Sequence, residues 1–227
     1  MNRGENGDIV WRRIFMATRK TWQNLYDTLY REYGDCECPL KHANPFQLLA
    51  AVMLSAQCRD ERVNQVTEKL FTIAPDAPAM ARMPQETVAE IIRPCGLFQT
   101  KSANLIAAAR RICEKYNGEV PAEMEELVTL PGIGRKSANV LLGNAFGKPG
   151  FPVDTHVKRV LNRIGIVTVQ EPEKIEEIVN QKVAPELWCN FSHLIIWHGR
   201  RVCSAGNPKC GSCVLENMCR KKGVKKK

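Results

Sequence analysis

Apolar residues recur three and four positions apart through almost the whole chain, whereas the two-residue alternation of a half-buried strand is nearly absent. Phe46, Leu49, Val52, Met53 and Ala56 form one such stripe, and Val157, Val160, Leu161 and Ile164 form another. Residues at this spacing share one side of a helix and must be buried against another helix, which restricts the chain to helix-on-helix packing. The punctuation agrees. Asn44-Pro45 and Pro172 supply helix starts, Pro94-Cys95-Gly96 a stop, and Gly118 a C-terminal cap ahead of Pro121. The expectation is an all-α protein of about ten short helices joined by short loops, with one brief extended piece at 166–169.

With 227 residues and 44% hydrophobic content, the chain can bury one large core or two small lobes. It lacks any apolar run of about 18 residues, the length a membrane-spanning helix requires. Near the N-terminus Arg12, Arg13, Arg19 and Lys20 break up every short apolar run, and Glu5 and Asp8 do not suit a transit peptide. The segment before Met16 reads as a disordered extension or as the product of a misplaced start codon.

A formal charge of +9 favours a polyanionic partner, because each phosphate neutralised by Lys or Arg releases condensed counterions. A solvated basic surface would carry the same charge, so its distribution matters more. From Arg200 to Lys227 nine basic residues face a single acid, Glu216, which reads as an electrostatic footprint followed by a basic tail.

Ten cysteines without a secretion signal point to metal binding or structural thiols rather than a disulfide framework. Cys36, Cys38, Cys58, Cys95, Cys113 and Cys189 are scattered and read as small hydrophobes. Cys203-x6-Cys210-x2-Cys213-x5-Cys219 instead gathers four thiols within 17 residues, enough for a tetrahedral zinc site or an iron–sulfur cubane.

The sharpest segment is Leu130-Pro131-Gly132-Ile133-Gly134-Arg135-Lys136-Ser137-Ala138-Asn139-Val140-Leu141, lying between two helical patterns. It reads as helix, tight turn, helix. The two glycines would allow the backbone to turn with positive φ and leave no side chain between the peptide N–H groups and an approaching anion, at the positive end of the second helix. An ordinary helical hairpin is the plainer alternative. The proline before the first glycine, the isoleucine between the two and the basic pair after them make the motif more specific than Gly-x-Gly alone.

With these residues the chain resembles the helix-hairpin-helix DNA glycosylase superfamily, in particular its endonuclease III branch, whose turn also reads Leu-Pro-Gly-Val/Ile-Gly followed by Arg-Lys. The likeness continues through Val153-Asp154-Thr155-His156, Leu54-Ser55-Ala56-Gln57 and Gly96-Leu97-Phe98, spanning about Asn44 to Cys219. It implies a two-lobed all-α fold with a C-terminal iron–sulfur cluster loop and a DNA-binding cleft between the lobes. A six-helix barrel domain carrying the hairpin would span 41–148, and 1–40 with 149–227 would form a discontinuous helical domain carrying the cluster.

By the same resemblance Lys136, locally just a surface lysine, matches the family's nucleophile. A neutral amine attacks the sugar C1′, expels the damaged base and leaves an imine able to eliminate the 3′ phosphate. The positive helix end, Arg135 and partial desolvation would disfavour the competing ammonium form. Asp154, locally a helix N-cap, matches the carboxylate that orients the amine and stabilises positive charge on the sugar, facing Lys136 across the cleft. His156 is expected to pack or bond locally, and His42, His193 and His198 attract no functional reading.

Gln57 matches the residue that fills the gap left by an extruded nucleotide, and Leu97 the residue that wedges into the opposite strand. Cys58-Arg59 departs from the small or hydroxyl residues usual there, which bears on substrate preference, and Arg59 could gain a backbone contact. The resemblance assigns Cys203, Cys210, Cys213 and Cys219 to a 4Fe-4S cluster of structural and electrostatic role. It also assigns Lys209, after Pro208, to a basic loop on the DNA backbone, with Gly132, Gly134 and Arg135 as further DNA contacts.

The implied function is a bifunctional glycosylase and AP lyase that removes oxidised pyrimidines from damaged duplex DNA, as a cytoplasmic monomer without membrane contact, nucleoid-associated if the host is bacterial. Two alternatives compete. An adenine-specific mismatch glycosylase would lack the lysine, carry a glutamate within the stretch here reading Met53 to Gln57, and add a C-terminal domain. A non-catalytic DNA-binding module would use the hairpin and cysteine loop for phosphate contact alone.

Overall fold

The structure, a computed structural model, describes residues 17–225; the readings made for the segment up to Met16 and for Lys226 and Lys227 fall outside the described residues. Among the described residues every regular element is helical and no strand occurs, as expected of an all-α chain. Residues 166–169 are irregular, tied to the preceding helix by Asn162 Nδ2, which donates to the Val169 carbonyl at 3.0 Å.

The chain separates into two compact units, Cys38–Pro152 and Met1–Glu37 with Val153–Lys227. Helix α1 (Arg19–Tyr33) belongs to the flanking unit. The central unit holds α2 (Pro45–Leu54), α3 (Asp60–Ile73), α4 (Ala77–Ala81), α5 (Gln85–Ile92), α6 (Phe98–Tyr116), α7 (Met124–Leu127) and α8 (Arg135–Phe146). The flanking unit resumes with α9 (Thr155–Ile164), α10 (Pro172–Lys182) and α11 (Trp188–Arg201).

In the central unit α2 starts where the sequence signals it. The Asn44 side chain accepts the Gln47 N–H at 2.9 Å, and Pro45 occupies the first helical position. Every residue from Phe46 to Leu54 is buried, so α2 is the core helix, with α3, α6 and α8 packed around it. Each large apolar side chain fully buried in this way stabilises the fold by about 1.5–3 kcal/mol. The long α6 covers α4 and α5. Its end differs from expectation: Asn117, not Gly118, is the C-cap, in the left-handed region at φ 53°, and Gly118 follows at φ 86° with its N–H on the Ile112 carbonyl. Asparagine tolerates this conformation better than most residues that carry a Cβ.

In the flanking unit α9 buries Val157, Val160, Leu161 and Ile164, the stripe read from sequence, and packs against α11. On α1, Trp22, Leu25 and Leu29 are fully buried beneath α11, with Trp22 edge-on to Phe191. The last described residues return to α9. The Arg220 N–H donates to the Ile164 carbonyl and the Lys222 N–H to the Arg163 carbonyl, each at 3.1 Å, supplying partners at the carbonyl end of that helix.

Candidate active site and cysteine centre

The hairpin forms as the motif predicts. Leu130 and Ile133 are buried and anchor the turn between α7 and α8, with the Ile133 N–H on the Leu130 carbonyl at 3.1 Å. Gly132 has φ 79°, which favours glycine whatever the space, and a Cβ there would lie 2.8 Å from Met53 Cε, the movable end of its side chain, and 3.2 Å from Asn104 Cβ. Gly134 does not use the positive φ that a glycine allows. Its φ is −99°, extended backbone open to any residue, and an added Cβ would meet nothing within 4 Å. What Gly134 provides is bare, exposed backbone at the N-cap of α8, where no side chain caps the helix.

Arg135 and Lys136 are the first two residues of α8, and both are exposed. Ala138 in the same turn is buried, so Arg135 and Lys136 lie on the outward face of the helix start, and the central unit's own packing does not supply the desolvation expected around Lys136.

Gln57 and Leu97 lie in the same unit, on the loops that follow α2 and precede α6. α2 stops at Leu54, and Gln57 sits beyond it at φ 56°. Leu97 is the N-cap of α6 at φ 49° and is 58% exposed. Between the two loops lies Lys101, 6% exposed, whose Nζ donates to the carbonyls of Leu54 (2.8 Å), Ala56 (2.7 Å) and Cys95 (2.8 Å). The sequence reading passed over Lys101. Its signal was position, for Lys101 falls four residues before Leu105 on the buried stripe of α6. Arg59, after Gln57 and half-buried Cys58, is exposed.

Asp154, Lys209 and the four clustered cysteines belong to the flanking unit. Asp154 is the N-cap of α9 and accepts the Val157 N–H at 2.8 Å. His156 bonds locally, its Nδ1 lying 3.1 Å from Arg159 Nη2. Lys209 is exposed beside half-buried Pro208, with its backbone N–H on the Val202 carbonyl.

Cys203, Cys210, Cys213 and Cys219 are half-buried and line one cavity with apolar walls from Val160, Ile164 and Leu215. Donors reach the sulfurs. Arg163 Nη1 lies 3.5 Å from Cys203 Sγ, the Lys221 N–H is directed at Cys219 Sγ at 3.4 Å, and His198 Nε2 lies 3.5 Å from Cys213 Sγ. Arg163 also bonds the Ser204 and Ala205 carbonyls and Arg159 the Cys203 carbonyl, fixing the loop to α9. Neither His198 nor Arg163 was singled out from sequence, since nothing local marks either residue.

Burial pushes the Cys213 and Cys219 thiols up, and the neighbouring sulfurs push in the same direction, so four thiolates here require cationic charge among them. Among the described residues no three His, Cys, Asp or Glu converge on a point that would hold a single metal ion. The four thiols line one cavity, a soft donor set that either a tetrahedral zinc site or an iron–sulfur cluster takes.

Residues 50–185 match the HhH-GPD superfamily of base excision DNA repair proteins. The chain is 47% identical over 192 residues to the endonuclease III of Synechocystis sp., covering 84% of this chain and 88% of that protein. It is similar to the solved structure of a non-covalent endonuclease III–DNA complex, with a TM-score of 0.86 and 39% identity over 91% of this chain and 97% of the other. A trapped endonuclease III–DNA covalent intermediate matches with the same score, identity and coverage.

Proposed function

The chain belongs to the endonuclease III family of the HhH-GPD superfamily, a DNA glycosylase with AP lyase activity in base excision repair, and we propose that it exerts this activity through Lys136 and Asp154. The observation that carries the assignment is the exposed amine of Lys136, in the first turn of a helix whose N-cap is a bare glycine.

The substrate is damaged duplex DNA, and the bases removed are oxidised pyrimidines. Peptide N–H groups around Gly132 and Gly134, at the positive end of α8, receive a backbone phosphate, with Arg135 and Lys209 adding phosphate contacts. Gln57 fills the gap left when the damaged nucleotide leaves the stack, and Leu97 wedges the opposite strand. The uncharged Lys136 amine attacks the sugar C1′; the C1′–base bond breaks, and the base departs with the bonding electrons and acquires a proton. Loss of the amine proton and cleavage of the C1′–O4′ bond, with O4′ taking up a proton, leave a ring-opened imine, from which a C2′ proton passes to solvent and the 3′ phosphate departs with the C3′–O bonding electrons. The Asp154 carboxylate orients the amine and stabilises the positive charge that develops on the sugar.

Cys203, Cys210, Cys213 and Cys219 hold a 4Fe-4S cluster. When bound, it supplies the charge that brings the four thiolates together and so shapes the loop carrying Lys209. A monomer acting in the cytoplasm, at the nucleoid of a bacterial host, completes the reading; among the described residues no helix is long and apolar enough to cross a membrane.

Borohydride reduction in the presence of abasic-site duplex DNA tests the mechanism. The wild-type chain is expected to form a covalent adduct and Lys136→Ala none; an undiminished adduct with Lys136→Ala would refute the assignment.

A further inference from the structure

Lys101 lies on the inner stripe of α6, which apart from it and Ser102 is apolar. An ammonium group has three donor hydrogens and no acceptor, and burying it is costly unless every hydrogen is bonded. Here the carbonyls of Leu54, Ala56 and Cys95 take all three. The first two lie at the carbonyl end of α2, where a helix presents unpaired acceptors and the negative pole of its dipole. The third closes the 3-10 turn Arg93–Cys95 ahead of α6. Lys101 also donates its own backbone N–H to the Leu97 carbonyl at 2.9 Å.

One residue thus binds both loops at their functional ends. Gln57 follows Ala56 directly, and only Gly96 separates Cys95 from Leu97. Gln57 and Leu97 both occupy left-handed backbone, which a residue with a Cβ keeps only when its surroundings impose it. We infer that Lys101 is a positioning residue for base extrusion, holding Gln57 and Leu97 in their outward-facing conformations before DNA arrives. This rests on the proposed roles of Gln57 and Leu97. The benefit is preorganisation: the loops need no ordering at the moment the base leaves the stack.

The test compares two substrates in single-turnover assays, lesion-bearing duplex and a single strand with a preformed abasic site, where no base is extruded. Lys101→Met is expected to slow the duplex reaction about 10- to 100-fold, in line with the loss of charged hydrogen bonds, and the single-strand reaction less than about threefold. Lys101→Arg, which keeps the charge and donors, recovers part of the loss. Combined with Gln57→Ala and Leu97→Ala, Lys101→Met adds less than about twofold, because it acts through those side chains. Equal losses on both substrates, or an undiminished effect in the double-alanine background, overturn the inference. A double-alanine chain with unchanged duplex rate overturns it at its premise, a failure distinct from that of Lys101 itself. Amide hydrogen exchange in the wild-type chain gives a readout independent of whether any variant folds. Residues 55–58 and 95–98 are expected to be nearly as protected without DNA as with it, and large new protection on binding refutes preorganisation.

Discussion

The Asp154 carboxylate accepts the Val157 backbone N–H at 2.8 Å, so the group proposed to stabilise charge on the sugar also starts α9. The two roles separate by substitution. Asp154→Asn retains a cap oxygen and should cost a few tenths of a kcal/mol, whereas Asp154→Ala should cost about 1 kcal/mol. Both should lower base release by about a hundredfold or more, because neither carries the charge. Urea unfolding beside single-turnover kinetics checks this, and an Asn variant of normal activity removes Asp154 from the chemistry.

The two turn glycines should respond differently to alanine. Gly132→Ala places a Cβ against Met53 and Asn104 in left-handed backbone, and a loss of about 1–3 kcal/mol is expected in unfolding experiments. Gly134→Ala meets no atom of the protein and should change stability by less than about 1 kcal/mol, yet weaken duplex binding severalfold by covering the amides. Unchanged binding by Gly134→Ala would remove the phosphate from that position.

The cysteine loop makes a claim about composition. Protein purified without oxygen should contain about four irons and four inorganic sulfides per chain, with visible absorption that Cys213→Ser diminishes. One zinc and no iron would replace the cluster with a tetrahedral site.

Acid should destabilise the fold before carboxylates titrate. Burial holds His193 and His156 below the ordinary histidine value of 6.5; for His156 Arg159 and Arg200 act in the same direction and Asp154 against it. Between those lowered values and 6.5 the unfolded chain binds more protons than the folded one. Stability is therefore complete above about pH 6.5 and falls as the pH drops through that window. Urea midpoints measured from about pH 7.5 to 5 should decline, and His193→Leu should flatten the decline. A midpoint that is constant or rises toward acid contradicts the assignment.

The sequence was most informative where the cause is local. The stripes of α2 and α9, the caps at Asn44 and Asp154, and the glycine-rich turn follow from residues within a few positions of one another. Gly134 and the cap read at Gly118 differ from the structure because a glycine signals freedom without saying whether the backbone uses it, and an asparagine beside a glycine can take the left-handed place first. Arg163 and His198 carry no local signal, and Lys101 only its place on the buried stripe of α6. Lys101 bonds a carbonyl 45 residues away, and Arg159 one that is 44 residues away, separations at which only the folded chain brings partners together.

Burial of α1 under α11 has a consequence for synthesis. Tyr33 and His198, 3.0 Å apart from hydroxyl to ring nitrogen, are separated by 165 residues of chain. On the ribosome that interval lasts about ten to thirty seconds, during which Trp22, Leu25 and Leu29 are translated but have no α11 to cover them. The nascent polypeptide therefore carries a sticky amphipathic helix ahead of a maturing central unit, and its hazard of misassociation is greatest until residue 201 has emerged from the exit tunnel.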